Sequence, residues 1–250
     1  MSGSIYMATS GAEAQRIRLQ ILSNNLANIN TAGFKEDRAV FRIPDEGLNP
    51  DADKGEGAGV SAPTYTDAIP LTTHTDYSRG PIQRTGNPLD AAIDGEGFFS
   101  VQTEQGIRYT RNGAFTINPD GNLSTHDGDP ILGEGGEIAI DGADVRFDGS
   151  GNVIVDGTVT DKLRIVKITE PTALKKIGKT LFQLDENKGT EEPLEYGGVQ
   201  QGFLEGSNVN AVKVMTELIE VQRGYESYQK MIQTMGEMAS RVISGVGTTE

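Results

Sequence analysis

Two oxygen-rich loops carry the residue types that hold a hard cation. In TINPDGNLSTHD (116–127), Asn118, Asp120, Gly121 and Asp127 stand at calcium-loop offsets, but Thr116 occupies the place of the first acidic ligand and the flanks read as strands rather than helices. In DGSGN (148–152), Asp148, Ser150 and Asn152 place oxygens at alternate positions. Turn chemistry accounts for both, because Asp, Asn and Gly supply local side-chain bonds and left-handed backbone. The pairs Asp94 with Glu96 and Glu191 with Glu192 have the residue types of a glycosidase acid–base pair. With 36 acidic residues such neighbours arise by chance, and a chain with 6% aromatics and no Trp does not line a sugar cleft. The glycine-rich pieces 55–59 and 133–136 have neither the spacing nor the lysine of a phosphate-binding loop. Zero cysteines exclude disulfides, thiolate metal sites and cysteine nucleophiles, and two histidines, His74 and His126, are too few for a zinc site. No catalytic residue, metal ligand or cofactor is predicted.

The charge balance narrows the partners. A formal net charge of −14 opposes binding to a phosphate backbone, and no Lys/Arg-rich run overrides it locally. Nucleic acid and anionic membrane are therefore not expected partners. The start, MSGSIYMATSGAEAQ, lacks the basic and apolar regions of a cleaved secretory signal, and no apolar stretch approaches the ~20 residues that span a bilayer. Taken alone, these features describe a soluble cytoplasmic protein.

The elements that would position any site fall in three textures. Near the start, Ile5, Ala8, Ala12, Gln15, Leu19, Leu22, Leu26 and Ile29 recur at alternating spacings of three and four, which predicts a helix with a narrow seam, capped by Ser2 or Ser4 and stopped by Gly33. Near the end, Val214, Leu218, Val221, Tyr225, Tyr228, Ile232, Met235, Ala239 and Val242 keep the same rhythm without a break. That helix is predicted to start at a Ser207 or Asn208 cap and to end at Gly245. Apolar residues also flank the seams, at Ile17 and Ile21 and at Val212, Met215, Ile219 and Met231. A two-helix hairpin does not cover surface that wide, so further helices from other subunits are expected. Gly224 and Gly236 inside the second helix are expected points of close approach by a neighbouring helix.

Between the helices, Asp-Gly and Asn-Gly turns punctuate short apolar runs, which predicts an antiparallel β region. Strands are predicted at 92–93, 98–103, 108–110, 114–117, 122–124, 137–140, 145–147, 152–155, 163–168, 181–184 and 199–204. The stretch 44–86 is rich in Gly, Pro, Asp and Thr and reads as an extended connector. The predicted class is α+β, with terminal heptad helices pairing as a coiled-coil layer around a central antiparallel all-β domain. The predicted boundaries are residues 1–33 for the first helix, 34–85 for the connector, 86–205 for the β domain and 206–250 for the last helix.

Four ordered segments then point to a family. SNNLANINTAGFKEDRAVF (23–41) resembles the N-terminal signature of flagellar axial proteins of the rod and hook. TGNPLDAAIDGEGFFSV (85–101), YTRNGAFTINPDGNLST (109–125) and LEGSNVNAVKVMTELIEVQRGYESYQKMIQ (204–233) resemble the same family in the same order. The motif positions are Asn24, Asn25, Leu26, Asn28, Gly33, Phe34, Gly97, Phe98, Phe99, Ser207, Asn208 and Asn210. Length, the TGNPLD segment and the LEGSNVN segment are most similar to the proximal-rod members, with the distal-rod members next.

The resemblance implies a structural, non-enzymatic subunit of the bacterial flagellar basal-body rod, exported by the flagellar type III apparatus without signal cleavage and assembled in the periplasm. It overturns the cytoplasmic expectation. Its implied partners are other rod proteins, copies of itself and the export apparatus, with no membrane insertion. The implied assembly interface is Leu19, Leu22, Leu26 and Ile29 on one helix, and Val214, Leu218, Val221, Tyr225, Tyr228, Ile232, Met235 and Val242 on the other. In the family the terminal helices form an inner coiled-coil layer and the β domain an outer one, so torque passes through a packed tube. Asn24, Asn25 and Asn28 either bond neighbouring subunits or help end the helix. The competing expectations are a carbohydrate-active enzyme built on the β domain and a surface binding module carried on helices.

Overall fold

The computed structural model of the chain describes residues 2–41, 71–194 and 198–246. The central part of the predicted connector, 42–70, lies outside the described residues. The chain divides into two units, one of residues 1–26, 37–74 and 211–250 and one of residues 27–36 and 75–210.

The first unit holds the two helices, α1 (Ser2–Ala27) and α2 (Ala211–Val246). The strands Asp37–Phe41 and Leu71–Thr75 pair with one another. The helix ends differ from the sequence expectation. α1 stops at Ala27, several residues before Gly33, because the Asn28–Gly33 stretch turns instead, with the Thr31 N–H on the Asn28 carbonyl at 3.1 Å. α2 starts at Ala211, so neither Ser207 nor Asn208 is its cap: the Ser207 hydroxyl accepts the Val209 N–H and the Asn208 side chain accepts the Glu36 N–H. Its last turn runs through Gly245 to Val246, since a glycine interrupts a helix only where the chain takes up a left-handed turn.

The second unit is β-rich. Its main sheet has six antiparallel strands in the order Leu174–Ile177, Leu181–Leu184, Gly106–Thr110, Phe98–Thr103, Ile165–Ile168 and Glu191–Pro193. A three-stranded sheet carries Thr158–Lys162, Asn152–Val155 and Val145–Phe147. Three short antiparallel pairs join Gly198–Gln201 to Ala91–Asp94, Phe203–Glu205 to Ile82–Arg84, and Thr116–Ile117 to Leu123–Ser124. Side chains alternate across a strand, so consecutive Phe98 and Phe99 enter opposite faces of the sheet. Phe99 and Val101 join a large core with Ile131, Ile138, Phe147 and Val153. Phe98 joins a smaller one with Tyr109, Val166, Leu174 and Phe182, against which Tyr77 packs edge-on.

The predicted run 199–204 is two strands, because Gly202 at φ +75° breaks it. The run 137–140 forms only single bridges between the glycines 135–136 and Asp141-Gly142, although Ile138 and Ile140 are buried. Both loops weighed as cation sites close as turns. Asn118 Oδ1 accepts the N–H groups of Asp120 and Asn122, and Asp148 Oδ1 accepts those of Ser150 and Asn152, so these two oxygens serve the turns. Among the described residues no group of three or more His, Asp or Glu is placed to hold a metal ion, and no helix is long and apolar enough to cross a membrane.

Candidate assembly site

Within the second unit, the family-like segments from the two ends of the chain meet around one carboxylate. Glu205 is 2% exposed, and its Oε1 accepts from Lys35 Nζ at 2.6 Å and from the Gly80 N–H at 3.0 Å. Its Oε2 faces Arg111 Nη1 at 3.2 Å. Lys35 also donates to the Ser78 carbonyl at 2.7 Å, and Arg111 to the Gly95 carbonyl at 2.8 Å while lying over the Phe98 ring. Burial holds both the Lys35 amine and the Arg111 guanidinium below their ordinary pKa values, and the Glu205 charge acts against that. A buried charge is tolerated only when it is paired and hydrogen-bonded, and here one carboxylate serves two cations.

Gly33 makes this approach possible. Its φ of +70° suits only glycine, and a Cβ there would lie 2.3 Å from the Asn112 nitrogen. Its N–H donates to the Glu205 carbonyl at 2.7 Å. Phe34 is fully buried beneath Lys176, whose Nζ sits 3.7 Å from the ring centroid and donates to the Lys35 carbonyl at 2.7 Å. Asn208 then closes the ring, accepting the Glu36 N–H at 2.7 Å and donating to the Asp76 carbonyl at 2.8 Å. Residues 33–36, 76–80, 111 and 205–208 are thus tied into one clasp.

Other motif residues have local duties. Asn25 is fully buried and exchanges two hydrogen bonds with the Asp37 backbone, at 2.8 and 3.0 Å. Of the two roles open to it, these bonds serve the chain's own turn after α1. Buried Asn28 accepts the Thr31 hydroxyl at 3.2 Å, while Asn24 lies exposed on α1. Gly97 approaches Ile165 at 3.0 Å from its would-be Cβ and sends Phe98 and Phe99 to the two cores. Asn210 is exposed, one residue before α2.

The seam residues form a second constellation, in the first unit. On α2, Val214 and Val221 are buried, and Leu218, Tyr225, Tyr228, Ile232 and Met235 are half-buried; Val242 lies outside the side chains described. On α1, Leu22 is buried and Leu19 and Leu26 are half-buried; Ile29, also half-buried, follows the helix in the second unit. The Tyr228 ring lies over Gly11, and Gln15 faces Gly224. A Cβ on Gly236 would meet nothing within 4 Å among the described residues. Beside the seam, Val212, Met215 and Ile219 are 74%, 51% and 52% exposed, and Met231 and Met238 are exposed as well.

The residues missed from sequence are Lys35, Glu205, Arg111 and Lys176. Lys35 and Glu205 each sit inside a recognised segment, GFK and LEG, beside residues that are buried. A charge set in such a segment is the signal that marks a buried pair, and Arg111 in YTRNGAF carries it too, whereas Lys176 lies in the strand Leu174–Ile177 outside those segments and carries none.

Comparison with known proteins matches three stretches. Residues 5–35 fit the family described as flagella basal body rod protein, residues 92–161 the flagellar hook protein FlgE/F/G D1 domain, and residues 200–245 the flagellar basal body rod FlgEFG protein C-terminal region. The chain is 35% identical over 263 residues to the flagellar basal-body rod protein FlgG of Agrobacterium fabrum, covering 96% of this chain and 97% of that protein. It is 33% identical over 253 residues to FlgF of Caulobacter vibrioides, covering 99% of each. To FlgF of Escherichia coli it is 33% identical over 258 residues, covering 96% and 97%. Both seams fall within the first and third matched stretches, and the clasp draws residues 33–35 and 205–208 from them and Arg111 from the second.

Proposed function

The chain belongs to the flagellar basal-body rod proteins, as a structural subunit, and from that premise we propose that it builds the proximal rod, polymerising through its terminal helices as a coiled-coil core of the hollow shaft that carries torque to the hook. The observation that carries this reading is the surface of α2. Val214 and Val221 of its seam are buried and Leu218, Tyr225, Tyr228, Ile232 and Met235 half-buried, whereas Val212, Met215 and Ile219 beside them remain exposed on the single chain. An exposed apolar strip beside a half-buried seam is what additional helices from other copies and other rod proteins would cover.

Nothing in this role needs a catalytic group or cofactor. The clasp supplies rigidity, because a shaft transmits torque only if the segments adjoining its helices do not swivel. The same reading has the chain exported by the flagellar type III apparatus without a cleaved signal and assembled in the periplasm. The proposed assembly units are residues 1–33, 86–205 and 206–250, with 34–85 as the connector. Length and the TGNPLD and LEGSNVN segments favour the proximal over the distal rod; the distal-rod reading is supported by relatives named FlgG at similar identity.

Quantitative mass spectrometry of purified hook–basal bodies tests the proposal. This chain is expected there at a copy number well below that of the most abundant rod component; an equal or higher number favours the distal rod, and absence overturns both. Leu218→Asp is expected to remove the chain from those particles while the β-rich unit stays folded, because an unpaired charge buried in the seam costs several kcal/mol. Normal incorporation of that variant would remove the seam from the interface.

A further inference from the structure

A seam of repeated heptads has a weakness: sliding one helix by seven residues again brings apolar residues together, at little cost in burial. Two contacts in the first unit are not repeated along the seam. A Cβ on Gly11 would lie 2.6 Å from Tyr228 Cε1 and 2.7 Å from Cζ, so the ring occupies the space that any other residue at position 11 would fill. Four residues further along α1, Gln15 faces Gly224, four residues back along α2; an alanine there would just touch the amide at 3.5 Å, and anything longer would overlap it. The opposite progression of the two pairs makes α1 and α2 antiparallel. Gln15 is the polar member of an otherwise apolar or small seam, and its Oε1 is buried without a hydrogen-bond partner among the described residues.

We infer that Gly11 with Tyr228, and Gln15 with Gly224, are the register-determining pairs of this chain, each setting a large side chain of one helix into the glycine notch of the other. A slip of one heptad in one direction sets the Tyr228 ring against Arg18 and Gln15 against Met231. A slip in the other sets Val221 over Gly11, half filling the notch. Either loses the fit of ring to backbone, and a buried amide tolerates only the register that gives it room. The fixed register in turn fixes which exposed residues of the two helices stand side by side for the next copy. This inference rests on the helix pairing proposed above.

The absence of cysteine allows a direct reading of register in the purified full chain. Gln15→Cys with Gly224→Cys reports the register described, and Gln15→Cys with Glu217→Cys reports a one-heptad slip; both replace Gln15, so they read the register that Gly11 with Tyr228 sets alone. The first pair is expected to close at least about tenfold faster under mild oxidation, since disulfide geometry tolerates little displacement. Adding Gly11→Leu is expected to abolish that preference, and adding Tyr228→Ala to Gly11→Leu to restore it, which separates a lost register from a failure to fold. A preference that survives Gly11→Leu overturns the inference alone. Closure of neither pair in the otherwise native chain overturns the pairing, and the inference with it.

Discussion

Glu205 sits where a small chemical change has the largest structural reach, because four donors from three separate segments reach its backbone and side chain. Its removal strands Lys35 and Arg111, whose side chains are 1% and 5% exposed. Glu205→Ala is therefore expected to cost about 3–5 kcal/mol in urea unfolding of the β-rich unit, and Lys35→Met less, since it leaves Arg111 paired. A loss near zero for Glu205→Ala would mean that water replaces the carboxylate. Tyr109 gives a prediction in pH. Its phenol is buried and donates to Glu191, and both effects raise its pKa above the ordinary value. The unfolded chain then ionises first, near about pH 10, and from there upward the folded state holds the extra proton, so stability falls as pH rises. Tyr109→Phe is expected to flatten that decline when unfolding free energy is compared at about pH 9 and 11; an unchanged slope would place the alkaline loss elsewhere.

At the scale of elements, the legible features were those with a period. The strands Phe98–Thr103, Val145–Phe147, Asn152–Val155 and Leu181–Leu184 have the bounds the sequence predicts, because turn residues and apolar alternation mark both ends. Thr158–Lys162 and Glu191–Pro193 were not visible: one is exposed along most of its length and the other is acidic and ends in proline, so neither alternates. Ile82–Arg84 is exposed along its length and is held by backbone pairing to Phe203–Glu205, a partner more than a hundred residues away. Helix ends were misplaced for a related reason, since Gly33, Ser207 and Asn208, which look like stop and cap signals, are engaged in the clasp. Gly236 tests what the helices themselves are for. A Cβ there would meet nothing within 4 Å among the described residues, yet a glycine inside a helix costs about 1 kcal/mol against alanine. Gly236→Ala is expected to raise the thermal midpoint of the helices in the free chain and to lower the amount of chain found in purified basal bodies. Undiminished incorporation would show that no neighbour approaches at that position.

For the whole molecule, the boundary of the β-rich unit is the decisive feature. Composition suggests residues 86–205, where the glycine-rich turns begin and end. The compact unit also takes in 27–36, 75–85 and 206–210, because these supply Lys35, Phe34, Tyr77, Gly80 and Asn208 to the clasp and the smaller core. A fragment of residues 27–210 is expected to unfold in one cooperative transition, at the urea midpoint the β-rich unit has in the full chain. A fragment of residues 86–205 keeps Glu205 and Arg111 but loses Lys35, the Gly80 N–H and the strand Ile82–Arg84 that pairs with Phe203–Glu205. It should be less stable by about 3 kcal/mol or more, the cost of breaking a buried charge network. Equal stability of the two fragments would return the boundary to the compositional one and reduce the clasp to a surface contact; the expected gap would mean that both ends of the chain must be in place before the β-rich unit is complete.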